Sequence, residues 1–413
     1  MAKNTMTIGF IPLSDAAPLV LAKEEGLFDA FDIDVTLSKE HSWARVRDKL
    51  AIGDLDAAHM LSPMVIASAL KLEPGCEPFA TALGLNLNGN GITVSNSLYE
   101  EMLDVQPDTP NMQPVPAEAL RTIAARRLHR GKSPITLAMV YPFSTHNYLL
   151  RYWLAASGLH PDRDVRLIVA PPPDMARLCE AESIDGFCVG EPWNSVAVHR
   201  GVGRRILAGA EVWAAAPEKV LGVRRSWLAE NEEVYLRLVR AVLRALKRLG
   251  TEEGRQAAIR YLAREPYLGI GEDDIAPSFA TGPAPVMAST FDPSVAGYPW
   301  HSKAHWLAMQ MIRWGQITRP VDVASAVRES YRADLFGNVA REEGIPTPGS
   351  PHIIEGAHAD DWVLGSGSSA ISMPVDRFID GSQFDSAAPL PYLEQFTRHS
   401  LRFPLTEMTD RAE

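Results

Sequence analysis

From Thr7 to about Leu70 short apolar runs alternate with segments of helical period, and this alternation narrows the choice of fold more than any other feature of the chain. Thr7–Pro12, Ile33–Leu37 and Asp56–Leu61 read as strands. Leu19–Gly26, the segment from His41 to Gly53 that turns Val46 and Leu50 inward, and the run opened by Ser62-Pro63 read as helices. Strand and helix in turn predict an α/β fold on a mostly parallel sheet. In such sheets ligands bind beyond the carboxyl ends of the strands, so residues just past a strand end become candidates.

The pattern recurs downstream. Phe79–Leu85 is a strand, Asn86-Leu-Asn-Gly-Asn-Gly91 a turn whose two glycines permit positive φ, and Ile92–Val94 resumes extended structure. A proline-rich loop lies between Asp104 and Pro116, followed by a basic helix over Ala117–Arg130. After the strand Ile135–Val140, Tyr141-Pro-Phe-Ser-Thr-His146 brings Ser144, Thr145 and His146 to a helix N-terminus. Free N–H groups and the positive dipole end favour an anion there, although a plain cap uses the same residues. Val165–Ala170 is another strand, and Met175–Glu180 a short helix. Ile184-Asp-Gly-Phe-Cys-Val-Gly-Glu-Pro-Trp-Asn194 is a buried-type strand broken sharply, which presents Glu191 and Trp193 at its end. Ile206–Ala208 and Leu221–Val223 are strands, with Lys219 just ahead of the second. Glu232–Leu249, Arg255–Leu262, His301–Trp314 and Ala324–Leu335 read as helices, and Gly349–Ser386 as a surface loop or arm.

At 413 residues the chain suits two lobes, each large enough to bury a core. Its net charge of −11 repels phosphate backbones, which argues against direct nucleic-acid binding. Cys76, Cys179 and Cys188 offer neither a disulfide framework nor a zinc spacing, so no metal or cofactor is expected. No run approaches the ~18 apolar residues of a membrane span, and the first strand leaves no room for an export signal, so a cytoplasmic location without membrane contact is expected. There is no Gly-x-Ser-x-Gly elbow, P-loop, His-Glu-x-x-His or Gly-x-Gly-x-x-Gly after a first strand, which favours a binder over an enzyme.

Several ordered blocks carry a resemblance: Asp15-Ala-Ala-Pro18, Ser42-Trp43, His59-Met-Leu-Ser-Pro63, Thr145-His146 with Arg151-Tyr-Trp-Leu-Ala-Ala156, Pro171-Pro-Pro173, Asp185 to Asn194, Pro217-Glu-Lys219 and Ile312-Arg-Trp-Gly315. From Thr7 to about Phe396 the chain resembles the nitrate- and bicarbonate-binding proteins of ABC importers, the NrtA and CmpA types. The resemblance implies a two-lobe, type II periplasmic-binding-protein-like fold with a ligand cleft between the lobes. Lobe I would hold residues 1–90, lobe II 91–192, a return to lobe I with added helices 193–345, and an arm 346–413.

The same resemblance places ligand contacts at Trp43, Asn90, Gly91, Thr145, His146 and Lys219, supported from behind by Asp15, Ser62, Pro172, Glu191 and Trp193. A planar monoanion suits this set: Lys219 supplies the charge, His146 and the Asn90 amide supply donors, and Trp43 an indole N–H or a flat wall. Asn90 stands where the transport-type proteins carry glutamine, so the amide is one methylene shorter. Beginning at its first strand, the chain most resembles the NasS-type cytoplasmic nitrate and nitrite sensors of that family. These implied partners are nitrate or nitrite as ligand and a NasT-like ANTAR-type RNA-binding antiterminator, released on ligand binding to control nitrate assimilation genes. The alternative is the substrate-binding component of a nitrate or bicarbonate ABC importer.

Overall fold

The computed structural model describes residues 3–281, 289–365 and 370–396. In chain order its strands are β1 (Asn4–Phe10), β2 (Ile33–Lys39), β3 (Ala57–Leu61), β4 (Phe79–Leu87), β5 (Asn90–Ser95), β6 (Thr136–Met139), β7 (Arg166–Val169), β8 (Gly186–Gly190), β9 (Gly203–Ala208) and β10 (Pro217–Arg224). They form two five-stranded sheets, ordered β2-β1-β3-β10-β4 and β7-β6-β8-β5-β9. This is the two-lobe α/β architecture expected from the sequence. Neither sheet is wholly parallel, however: β10 runs antiparallel to β3 and β4, and β5 antiparallel to β8 and β9. Each of these strands arrives from the other lobe and so enters its sheet from the opposite end.

Asn88 and Gly89, read as part of a turn, make the first crossing between the sheets, and both have positive φ, 61° and 89°. The φ of Gly89 is one that L side chains rarely adopt, and a Cβ there would also meet Ser289 Oγ at 2.2 Å, which the serine side chain would have to turn away to relieve. The return crossing, between β9 and β10, is clasped to the first. The Asn88 side chain donates to Ala214 O at 2.7 Å and accepts from Ala216 N at 3.2 Å, while Asn88 N donates to Ala216 O at 2.9 Å. Sheet membership also moves a boundary. β9 pairs with β5 in the second sheet, so the return to the first lobe lies beyond Ala208 and not at 193.

The first sheet is backed by the helix Glu232–Leu249, which was legible to the residue from its period. Its inward face buries Leu238, Val242 and Leu246, and the Tyr235 hydroxyl bridges two strands by accepting from Ala82 N and donating to Leu221 O. The expected helix Ala324–Leu335 is instead two helices, Val323–Ser330 and Ala333–Glu342. Tyr331 leaves helical geometry between them and donates its hydroxyl to Ser62 O at 2.8 Å, while Arg332 N bonds to Thr81 O. Among the described residues no helix is long and apolar enough to cross a membrane.

Gly349–Ser386 is not simply a surface loop, although residues 366–369 and 397–413 of the expected arm lie outside the described residues. It carries a hairpin, β11 (Trp362–Leu364) with β12 (Ile371–Met373), and buries Phe378 against Trp213 and Trp306. Glu355 is fully buried, accepting from Lys303 Nζ at 2.7 Å and Ser302 Oγ at 2.6 Å. Replacing Glu355 by Ala strands the Lys303 ammonium, and we expect a loss of about 3–5 kcal/mol in chemical denaturation. Burial pushes the Glu355 carboxyl up to about 7 against the pull of Lys303. The stability tied to its protonation is therefore complete below ordinary carboxyl pH and declines as pH rises through 7, a slope that Glu355→Gln removes from the denaturation profile.

Candidate functional site

Both lobes contribute to a cluster buried where they meet. Asp15 lies in the turn Ser14–Ala16 after β1, Trp43 opens the helix Trp43–Ile52, His59 is central in β3, and Glu218 and Lys219 are neighbours in β10. From the second lobe come Asn90 at the start of β5, Gly190 at the end of β8, and Thr145 and His146 at the start of the helix Thr145–Ala156. Ser42 caps the Trp43 helix, its Oγ accepting from Arg45 N. Ser144 caps the other, accepting from Asn147 N at 3.0 Å, so two positive helix ends begin at the cluster. Asp15, Trp43, His59, Asn90, Thr145, His146, Glu218 and Lys219 are all buried.

The Lys219 ammonium is held between two carboxylates, donating to Asp15 Oδ2 at 2.8 Å and to Glu218 Oε1. It also stands 5.5 Å from the centre of the Trp43 ring. His59 Nε2 lies 2.9 Å from Asp15 Oδ1, and His146 Nδ1 lies 3.4 Å from Glu218 Oε1. Asn90 Nδ2 donates to Glu218 Oε2 at 2.6 Å. The indole N–H of Trp43, His59 Nδ1, His146 Nε2 and the carbonyl oxygen of Asn90 have no hydrogen-bond partner in the protein, whereas the other ring nitrogens face Asp15 and Glu218. Such atoms are rare in protein interiors, and several in one place make this cluster the candidate site for a polar ligand. A Cβ built at Gly190 would sit 3.5 Å from Asn90 Oδ1 and 3.6 Å from His146 Nε2, which locates the space they share.

Electrostatics here are set by burial and by the lysine. Burial alone would raise the Asp15 carboxyl, but Lys219 and His59 outweigh it and hold Asp15 well below the usual carboxylate range. Burial raises Glu218, Lys219 only partly opposes this, and Asp15 adds to it, so Glu218 stays above the ordinary range. Burial works against the Lys219 ammonium, yet its two carboxylates lift it above its ordinary value. His146 is driven well below its ordinary value by burial and then by Lys219, so it is a neutral imidazole with one N–H to donate. His59 is lowered by burial against the pull of Asp15. Lys219 is thus no bare cation: a second anion about 4 Å from a carboxylate meets about 4 kcal/mol of repulsion at an effective dielectric of about 20.

The sequence-derived residues fall into three groups. Trp43, Asn90, His146, Lys219 and the supporting Asp15 meet in the cluster. Lys219 lies inside β10 rather than ahead of a strand, and Asn90 turns a carbonyl oxygen, not its amide donor, to the shared space. A second group joins the lobes. Thr145 Oγ1 donates to Pro217 O at 2.7 Å, Trp193 Nε1 to Pro12 O at 2.9 Å, and Glu191 O accepts from Ser14 N. The Glu191 side chain accepts from Ser195 N, and burial pushes its carboxyl up to about 7. The third group lies apart: Ser62 bonds to Tyr331, Gly91 sits in the sheet opposite Val189 and Ala208, and Pro172 is buried in the turn Pro172–Asp174.

His59 and Glu218 were not assigned roles from sequence. A histidine in a strand buried at every position was the available signal for the first. Glu218 was hidden by strand alternation, which sends neighbours to opposite faces. The pairing of β10 with β4 slips on both sides of Lys219, and this irregularity aims both side chains at one cluster. Among the described residues no group of three or more His, Cys, Asp or Glu is arranged to hold a metal ion.

With this geometry in place, comparison with known proteins assigns the family. The NMT1-like family model matches residues 1–263. The nitrate/nitrite binding protein NrtA of Nostoc is 30% identical over 94% of this chain and 84% of its own length. The chain belongs to the NMT1-like family, with the NrtA-like substrate-binding proteins. The crystal structure of the periplasmic nitrate-binding protein NrtA from Synechocystis PCC 6803 superposes with a TM-score of 0.82 at 28% identity, covering 96% of this chain and 99% of that one. The nitrate import ATP-binding protein NrtC of Synechocystis is 35% identical over 97% of this chain, which spans only 56% of its length.

Lys219→Met leaves the Asp15 and Glu218 carboxylates facing each other without their shared cation, and we expect a loss of about 3–5 kcal/mol. Without the ammonium both carboxyls rise, so the folded variant needs bound protons. Its deficit in thermal melting should be larger at pH 8 than at pH 5.

Proposed function

We propose that this protein binds nitrate or nitrite between its lobes as the solute-binding component of an import system. The observation that carries the proposal is the interlobe cluster, in which unpartnered polar atoms surround a buried ammonium. A planar oxyanion accepts from several donors at once, and here the Trp43 indole, the neutral imidazoles of His59 and His146 and the Lys219 ammonium lie in one buried cluster. Two helix N-termini add positive potential at no cost in bound charge. Relatives named for nitrate and nitrite binding support the same ligand, and a relative named for nitrate import supports the transport role.

The NasS-like sensor, cytoplasmic and partnered by a NasT-like antiterminator, takes second place because it rests on sequence resemblance alone. The two readings part at the partner. A NasT-like ANTAR protein retained on the immobilised chain without nitrate and eluted by nitrate would reverse their order.

Isothermal titration with nitrate, nitrite, chloride and bicarbonate plus calcium tests the ligand. Saturable heat with nitrate or nitrite is expected, and binding of bicarbonate alone would sink the proposal. Gly190→Ala is the matching variant, because its methyl makes ordinary contacts with Leu13, Asn90 and His146 and fills the shared space. Overfilling costs about 1–3 kcal/mol, so nitrate should bind about ten- to a hundredfold more weakly while the melting temperature is unchanged.

A further inference from the structure

Two carboxylates and one ammonium give the cluster a formal charge of −1 when Asp15 and Glu218 are both ionised. Entry of a monoanion alone would make it −2, whereas an anion with one proton leaves it unchanged. The groups facing this charge are Asp15 from the turn after β1, Trp43 from its helix, His59 from β3, Asn90 from β5, His146 from the helix Thr145–Ala156, and Lys219 beside Glu218 in β10. Asp15 is held as a carboxylate by Lys219 and His59, and the two imidazoles are buried with neutral rings. Burial therefore opposes protonating either imidazole but favours protonating Glu218, whose Oε2 is the atom that holds Asn90 Nδ2.

We propose that Glu218 determines how the site recognises an anion: it takes up one proton as the anion enters, and that proton turns the Asn90 amide into a donor. The proposal rests on the nitrate reading above. With Glu218 ionised, its Oε2 accepts from Asn90 Nδ2, and Asn90 Oδ1 is directed at the space beside Gly190 and His146 Nε2. An acceptor there opposes an oxyanion, which has no hydrogen to donate. A proton from solvent on Oε2 makes it a donor, and the Asn90 amide rotates by half a turn so that Oδ1 accepts from Glu218. Amide oxygen and nitrogen are nearly equal in size, so the rotation needs no repacking. Asn90 Nδ2 then faces the shared space and can donate to the ligand.

The test is nitrate titration calorimetry from pH 5.5 to 8.5 in two buffers of different ionisation enthalpy. Wild-type protein is expected to take up about one proton per nitrate at the alkaline end, with Kd rising by up to about tenfold per pH unit. Glu218→Gln reproduces the protonated geometry, since its amide nitrogen donates to Asn90 Oδ1. It should flatten the pH profile and bind nitrate more tightly than wild type at pH 8.5. The buffer comparison on wild-type protein tests proton uptake even if that variant fails to fold. Nitrate binding without proton uptake would overturn the proposal and leave the nitrate reading standing, as would a pH slope that survives Glu218→Gln. If calcium at fixed pH tightened nitrate as much as acidification does, a cation would hold the role given to the proton and the proposal would fall. Absence of nitrate binding at every pH would overturn both.

Discussion

The fold is arranged so that one ammonium group, that of Lys219, can exist away from water. An isolated buried charge costs far more than a domain's margin of stability, so it persists only where opposite charges and donors are already fixed around it. Asp15 and Glu218 supply that fixing, and each depends on a different part of the chain. Asp15 sits on the turn that follows β1, while Glu218 is aimed inward by the irregular pairing of β10 with β4. The second lobe then attaches to the same group of charges, because Asn90 bonds to Glu218 and His146 lies beside it. The ion triad is therefore both a candidate binding determinant and a contact across which the two sheets are joined.

Much of this was legible in the sequence wherever the determining interactions were local. The helix Glu232–Leu249 has its full hydrophobic stripe in consecutive turns, and Ser42, Ser144 and Gly53 mark helix ends through their own side chains or positive φ. Local pattern misleads where a distant partner decides. Tyr331 breaks a helical pattern because Ser62, far away in sequence, takes its hydroxyl. The Gly349–Ser386 segment looked like an exposed loop because its polar residues counted as surface. Two of them, Glu355 and Asp376, are buried acceptors for Lys303, Ser302 and Trp213.

The candidate site divides in the same way. Trp43, His146 and Lys219 were found from chemistry and resemblance together, since a flat wall, a helix N-terminus and a cation are visible in a sequence. Glu218 was not, because alternation in an ordinary strand would turn it away from its neighbour. The charge of the site was consequently misread as a single lysine, when it is a lysine already matched by acids. Family membership alone does not yield that balance; it depends on where the sheet register slips.

The Asn88 clasp has a mechanical consequence. A pair of independent connections between two rigid bodies allows twisting and sliding as well as opening, but here one side chain laces both connections together through Ala214 and Ala216. The two crossings are thereby tied to each other as well as to their sheets. Loss of that one side chain therefore loosens both crossings together rather than one at a time.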